Sequence, residues 1–187
     1  MINIHWVDTN LPPQYEHCVA SLQRIKQWSA VKLFYRKHMP YARVSTKESI
    51  AVIYQDVAKE FDTDNQHELK HNSINSNVKS EASLESSEII AAIRVKHVGQ
   101  YQLISGLLVA PQHRGKGLAT KLIQFIAPIL VPKKCFLFTD ISLQPLYLQQ
   151  QFQWVQPPKI AQLPANILQL YQRYHSESRP LIIMQLP

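Results

Sequence analysis

The sequence predicts an α/β chain of the α+β type, a mixed and mostly antiparallel central sheet flanked by helices. Three observations carry that reading. Short β-branched segments recur along the chain, two of them face each other across a two-residue turn, and one strand–helix–strand passage reads as a parallel crossover. With 187 residues, 45% of them hydrophobic and 18% charged, the chain is long enough for one well-buried domain and short for two. Residues 1–187 are therefore read as a single domain.

The first element, "INIHWV", alternates Ile2, Ile4 and Trp6 with polar residues and reads as a short strand. Pro13 opens a helical stretch in which Tyr15, Val19, Leu22 and Ile25 recur at helical spacing, with proline at a tolerated first-turn position. "AVKLFYRKH" reads as a second short helix, stopped at Pro40, and "SIAVIYQDVA" as a β-branched strand. Residues 62–88 are rich in Ser, Asn and Glu and nearly devoid of large apolar groups. Such a stretch cannot bury enough surface to offset its ordering entropy, so it reads as a mobile insertion loop.

"IIAAIRVKHV" and "QYQLISGLLVA" then form a strand pair turning at Gly99 and Gln100. A helix follows from Gly115, then the strand "KCFLFTD", a short helix "SLQPLYLQQQ" and the strand "FQWVQ". "PANILQLYQRYH" reads as a helix and "RPLIIMQLP" as the closing strand; no internal repeat is present.

Composition narrows the function classes. No apolar run reaches membrane-spanning length, and "MINIHWVDTN" lacks the basic-then-apolar layout of a signal peptide. The two cysteines, Cys18 and Cys135, make neither a disulfide framework nor a metal-ligand spacing. Cys135, within "CFLFTD", reads as a buried inert thiol. A reducing cytoplasm fits these features. The net charge is +7, and its distribution says more than its size. Seven Lys/Arg and no acid lie between Arg24 and Lys47, whereas seven acids and two lysines lie between Glu60 and Glu88. A basic surface with an acidic segment suits an anionic ligand or partner; the plainer reading is a solvated polar face.

Residues 107–126 read "LLVAPQHRGKGLATKLIQFI" and place two of the four glycines, Gly115 and Gly117, among Arg114, Lys116 and Lys121. A strand delivers the chain, glycines let a ligand come close, and a helix begins with Leu118, Leu122, Ile126 and Ile129 on its apolar face. The first amides of that helix have no intrahelical partner and carry the positive end of its dipole. Such a terminus binds phosphate, and side chains at Gly115 or Gly117 would block the approach. Arg114, Lys116 and the Thr120 hydroxyl add charge and hydrogen bonds. A Walker loop is excluded because no Ser/Thr follows Lys116, and a dinucleotide fingerprint because its third glycine and later acid are missing.

From Gln112 through Gly117, "QHRGKGLA" matches Gln/Arg-x-x-Gly-x-Gly/Ala without a gap. It resembles the acyl-coenzyme A loop of the GNAT acetyltransferase superfamily, and "LLVAP" before it is similar to that family's fourth strand. Downstream, "CFLFTDISLQPLYLQQQFQWV" has the family's layout, with Tyr147 five residues before Phe152. The likeness covers residues 89–156 well and elsewhere rests on element order. Two departures stand out: Gln151 replaces the usual glycine before Phe152, and Asp140 replaces an asparagine that touches the pantetheine arm in many members.

The resemblance implies an acyl-coenzyme A-dependent N-acyltransferase, acetyl-coenzyme A the favoured donor, and a primary amine acceptor it does not identify. It implies that Leu107, Leu108 and Val109 lie along the pantetheine arm, with Gly106 as a bulge that splays the fourth and fifth strands. It assigns the pyrophosphate to Gln112, His113, Arg114, Gly115, Lys116, Gly117, Leu118, Ala119 and Thr120, with the amides of His113 through Thr120 as the grip. The amine loses its proton, attacks the thioester carbonyl and expels a thiolate. Tyr147 is the expected acid on the departing sulfur, since a phenol is protonated at neutral pH; otherwise it is a core tyrosine. For the base, Glu48, Asp56, His97, Asp140 and a water chain all stay open.

Other readings remain beside this one. A non-catalytic acyl-coenzyme A sensor would keep the loop and lose the chemistry. The basic run carries Trp28, Phe34, Tyr35 and Tyr41, which would suit an RNA-binding face. The plainer reading places those aromatics in the core and the charges on an acceptor groove, which leaves an anionic acceptor open, aminoacylated tRNA included. "HELKH" at 67–71 matches the zinc metalloprotease pattern through His67, Glu68 and His71. It sits in the most polar stretch with no apolar face to dock, so no metal is assigned.

Overall fold

A computed structural model describes residues 3–7, 21–56 and 87–187, with the side chains of 21–26, 56 and 87 outside the description. The apolar, β-branched segments form seven strands: β1 (Asn3–Trp6), β2 (Ser49–Asp56), β3 (Ser87–Val98), β4 (Tyr101–Val109), β5 (Cys135–Thr139), β6 (Gln153–Trp154) and β7 (Ile182–Gln185). They make one sheet in the order β1-β2-β3-β4-β5-β7-β6. Every pairing is antiparallel except β4 with β5. That is the predicted fold class, including its single parallel crossover.

Five helices accompany the sheet among the described residues: α1 (Ser21–His38), α2 (Leu118–Ile126), α3 (Gln144–Leu148), α4 (Pro157–Ile160) and α5 (Ala165–Tyr174). Side-chain alternation along β2 divides the core. Ala51 and Ile53 face α2 together with Ile93, Ile104, Leu122, Ile126 and Leu137. Ile50 and Val52 face the α1 side with Val31, Phe34, Tyr35 and Leu108. Ile167 of α5 packs with Leu103, Phe136 and Ile183 under the β5–β7 end. Each such buried aliphatic side chain contributes on the order of 1.5–3 kcal/mol. Cys135 is buried at the start of β5, and desolvation pushes its thiol up to about 12, so it is an inert core group.

The segment read as a second short helix is instead the second half of α1. Nothing between Ser21 and His38 is Gly or Pro, so nothing interrupts the helical hydrogen bonds until Pro40 approaches. The short α4 escaped the sequence reading; its two prolines occupy the first turn, where a missing N–H is harmless. Cys18, the 67–71 pattern and residues 62–86 lie outside the described residues. No helix among the described residues is long and apolar enough to cross a membrane.

The passage from α3 into β6 fixes Tyr147. Phe152 N–H donates to the Tyr147 carbonyl at 3.1 Å and Gln151 N–H to the Leu148 carbonyl at 3.0 Å. That pair of bonds is the Schellman closure, and the accompanying apolar contact is the edge-to-face packing of Tyr147 on Phe152, 6.1 Å between ring centroids. The closure demands a left-handed residue, and Gln151 supplies it with φ +67°. A side chain in that region costs about 1–2 kcal/mol, which glycine avoids. Gln151→Gly is therefore expected to raise unfolding stability by about 1 kcal/mol, read as a higher urea midpoint with an unchanged slope, while Gln151→Ala gains nothing comparable.

Candidate functional site

β4 and β5 pair only from Gln102↔Cys135 to Ile104↔Leu137. Beyond Ile104 and Leu137 the two strands continue without bonding each other, β4 to Val109 on its β3 side and β5 to Thr139 on its β7 side. The split starts at a bulge. Register slips between Ala92 and Arg94 of β3, opposite Ser105 through Leu108, and Gly106 there has φ +57°. The Nε of Arg94 lies where a Gly106 Cβ would sit, 2.5 Å from it, so a side chain is barred by space as well as by conformation.

The strand alternation decides which β4 groups face the split. Ala110 N–H donates to the Ile90 carbonyl at 2.8 Å, so Ala110 and Leu108 turn their backbone toward β3, and Val109 turns its own away. The Val109 carbonyl accordingly accepts the Arg114 Nε–H at 3.3 Å. Leu108, expected along the pantetheine arm, fits that role poorly. Its backbone is committed to β3 and its side chain to the α1-side core. Leu107 and Val109 are left to line the split.

Past Val109 the chain makes a 3₁₀ turn, Pro111–His113. His113 N–H donates to Ala110 and Arg114 N–H to Pro111, at 2.8 and 3.3 Å. Those two amides are thus used within the turn, which narrows the expected grip to Gly115 through Thr120. Gly115 and Gly117 have φ +75° and +71°, and a Cβ on either would meet no protein atom within 4 Å. Gly117 is the N-cap of α2 and brings no side-chain cap, so the Leu118, Ala119 and Thr120 amides find no partner among the described residues. A concavity of about 220 Å³ lies against them, lined by Val109, His113, Arg114, Gly115, Gly117, Leu118, Ala119, Thr120 and Leu146. Gln112 and Lys116 are exposed outside that lining, with Lys116 Nζ 3.5 Å from His113 Nδ1.

The corner is electropositive. α1 ends in Arg36, Lys37 and His38. Burial, then Lys37, lowers the His38 pKa, Glu88 acts against that, and Arg114 adds a smaller lowering influence. The Lys37–Glu88 pair, 3.4 Å and exposed on both sides, contributes little.

Tyr147 is buried, next in sequence to Leu146 of the concavity. Burial pushes its phenol up to about 12, and a hydrogen bond with Thr139, the last residue of β5, works against that rise. Asp140 follows at the open end of the split. Its carboxylate caps a turn, taking the Ser142 side chain and accepting Ser142 N–H at 2.8 Å, which together hold its pKa below the ordinary value. His97 is exposed at the opposite, closed end, where it pairs with Gln102. Glu48 is buried and bonded to Arg94 at 3.1 Å; burial raises its pKa and Arg94 draws it back. The Asp56 side chain is outside the description.

Of the aromatics in the basic run, Phe34 and Tyr35 are core, Trp28 packs against it, and Tyr41 is exposed beneath Arg179, 5.3 Å from ring centroid to guanidinium. The buried trio of Tyr35, Glu48 and Arg94 was not visible as a group from the sequence. Only the lone acid beside a basic run and the arginine inside "IIAAIRV" hinted at it.

A parallel strand pair that separates at a bulge, followed by a glycine turn and an uncapped helix, defines the acyl-coenzyme A N-acyltransferase fold. The model of the acetyltransferase (GNAT) family matches residues 46–152, more than half of the chain, and the chain belongs to that family. Solved structures agree in fold. An acyl-CoA N-acyltransferase from Pseudomonas aeruginosa is 13% identical over 100% of both chains, TM-score 0.55. Escherichia coli ElaA is 14% identical over 98% of both, TM-score 0.51. N-acetylglutamate synthase from Neisseria gonorrhoeae, solved with coenzyme A and N-acetyl-glutamate, is 11% identical over 100% of this chain and 35% of its own, TM-score 0.50. No curated protein sequence matches the chain. The family takes acyl-coenzyme A as co-substrate and transfers the acyl group to an acceptor.

The open space at the two glycines separates strain from ligand approach. Gly117→Ala is expected to cost about 1–2 kcal/mol in the ligand-free protein, from φ alone. It should also abolish the melting-temperature rise expected of the wild type with coenzyme A. Retention of the full rise by the variant would mean that nothing anionic approaches that amide row.

Proposed function

We propose that the protein is an acetyl-coenzyme A-dependent N-acetyltransferase acting on a primary amine by direct attack. The observation that carries this is the run of unpaired amides from Gly115 to Thr120, facing a concavity where the β4–β5 split ends. A diphosphate satisfies those donors and meets the helix dipole and the Arg114 guanidinium together. Leu107 and Val109 line the split for the pantetheine arm. The donor supplies a thioester; transfer forms an N–C bond and breaks the C–S bond.

Tyr147 is the acid in this reading. Its phenol, raised to about 12 by burial, stays protonated throughout the range in which proteins are ordinarily assayed, and its partner Thr139 stands on the split strand. It gives its proton to the sulfur as the C–S bond breaks. Tyr147→Phe is expected to lower kcat about 10²- to 10⁴-fold with little change in coenzyme A affinity.

The candidate carboxylates make poor bases. A base works best with a pKa near the working pH. Asp140 is held low by Ser142, and Glu48, although burial raises its pKa, has its carboxylate occupied by Arg94. The amine proton therefore leaves through water, and the acceptor must arrive as free amine. An α-amine, with pKa about 7.7–8.0, is free in far larger fraction at neutral pH than a lysine at about 10.4. The rate should climb with pH to the acceptor's own pKa and then level off, with no descending limb from Tyr147 below its raised value.

Acetyl-coenzyme A at about a hundred times its Kd should add about 2.7 kcal/mol of stability, several degrees in Tm. Thiol release across a panel of amines then completes the test. A melting rise without thiol release would make the protein an acyl-coenzyme A sensor. No rise, together with salt-dependent binding of RNA, would make it a nucleic-acid module.

A further inference from the structure

Behind the Gly106 bulge, on the side away from α2, three polar side chains from distant parts of the chain are buried together. Tyr35 of α1 is fully buried and donates its hydroxyl to the Gly106 carbonyl at 2.6 Å. The Arg94 guanidinium lies over the Tyr35 ring, 5.0 Å from its centroid. One Arg94 amine donates to Glu48 at 3.1 Å and to the Arg43 carbonyl at 2.8 Å. Arg94 Nε has no hydrogen-bond partner and abuts Gly106. Glu48 and Arg94 are only 5% and 7% exposed.

This is a costly way to fill space. Burying an ion pair is often no better for stability than packing apolar groups of the same volume, and an unbonded guanidinium N–H adds to the cost. What the cluster does provide is direction. The C=O and N–H of a trans peptide point opposite ways. Holding the Gly106 oxygen on Tyr35 therefore turns the Leu107 N–H away from α1, at the place where β4 leaves β5. The ion pair in turn holds the Tyr35 ring beneath Arg94, and Arg94 leaves no room for the bulge to carry a side chain.

We propose that Tyr35, braced by Arg94 and Glu48, is a positioning residue that sets the Gly106–Leu107 peptide and with it the reactive end of the split. The proposal rests on the acyltransferase reading for its effect on rate, but not for its effect on the backbone. None of the three residues touches the donor; they act through β4.

Tyr35→Phe removes one hydroxyl and leaves the ring under Arg94. In the ligand-free protein, amide hydrogen exchange in residues 105–109 should speed up about fivefold to tenfold, the equivalent of one hydrogen bond, with exchange at 96–98 unchanged. With acetyl-coenzyme A and an amine that the wild type accepts, kcat should fall about fivefold to tenfold while plain coenzyme A, gripped at the glycine turn, binds as before. Glu48→Gln, which keeps an acceptor for Arg94 and loses its charge, should shift both readouts in the same direction by less. Unchanged exchange at 105–109 in Tyr35→Phe overturns the proposal, as does a loss of coenzyme A affinity in step with kcat, which would signal general damage. If the wild type shows no thiol release, the acyltransferase reading fails by itself, and the exchange experiment still decides whether Tyr35 sets the peptide.

Discussion

Hydrogen bonding between β4 and β5 stops after Ile104 and Leu137, and the candidate site is arranged around that stop. Two parallel strands that separate inside a sheet leave a row of unpaired backbone groups on each side, normally a cost. Here the outer neighbours hold the strands in place, β3 along β4 to Val109 and β7 along β5 to Thr139. The split is therefore rigid on its flanks and unsatisfied only along its inner edges. Those edges are the groups that a ligand with amides of its own can complete.

The glycine turn continues the same logic at the end of β4. His113 and Arg114 spend their amides on closing the 3₁₀ turn. The next residues cannot do so, because the left-handed Gly115 and Gly117 carry the chain away from its own carbonyls and straight into α2. The unpaired donors are a consequence of the turn geometry. Arg114 stands beside those free donors in the lining of the same concavity, so charge and geometry there favour an anion over a neutral or cationic group.

Local signals carried the sequence reading, and spatial ones did not. The strands, the Gly99–Gln100 turn, the glycine turn and the Tyr147–Phe152 interval all lie within short windows, where periodicity and spacing express the physics directly. The continuity of α1 is not legible locally, because its apolar residues are irregularly spaced and show no single helical stripe. The resemblance places Leu107, Leu108 and Val109 together along the fourth strand; the hydrogen-bond parity that separates them depends on the bulge register. Tyr35, Glu48 and Arg94 come from a helix, a loop end and a strand, and no spacing rule unites them.

Strain gathers where the site is. Gly106 adopts a left-handed bulge, Gln151 carries a side chain in a region that favours glycine, and Arg94 is buried with one N–H unbonded. Gly106 takes that conformation without strain, whereas Gln151 and Arg94 are costs the surrounding core must offset, one at the closure that fixes Tyr147 and one in the layer behind the bulge. Elsewhere among the described residues two further costs stand, the left-handed Lys133 in the turn before β5 and the buried, unbonded Gln27 Oε1 of α1. A chain under selection for stability alone has an inexpensive remedy at Gln151, since glycine fits the same closure. The Gln151 and Arg94 costs both border the candidate cleft, where a geometry held against local preference is the expected pattern of a functional site.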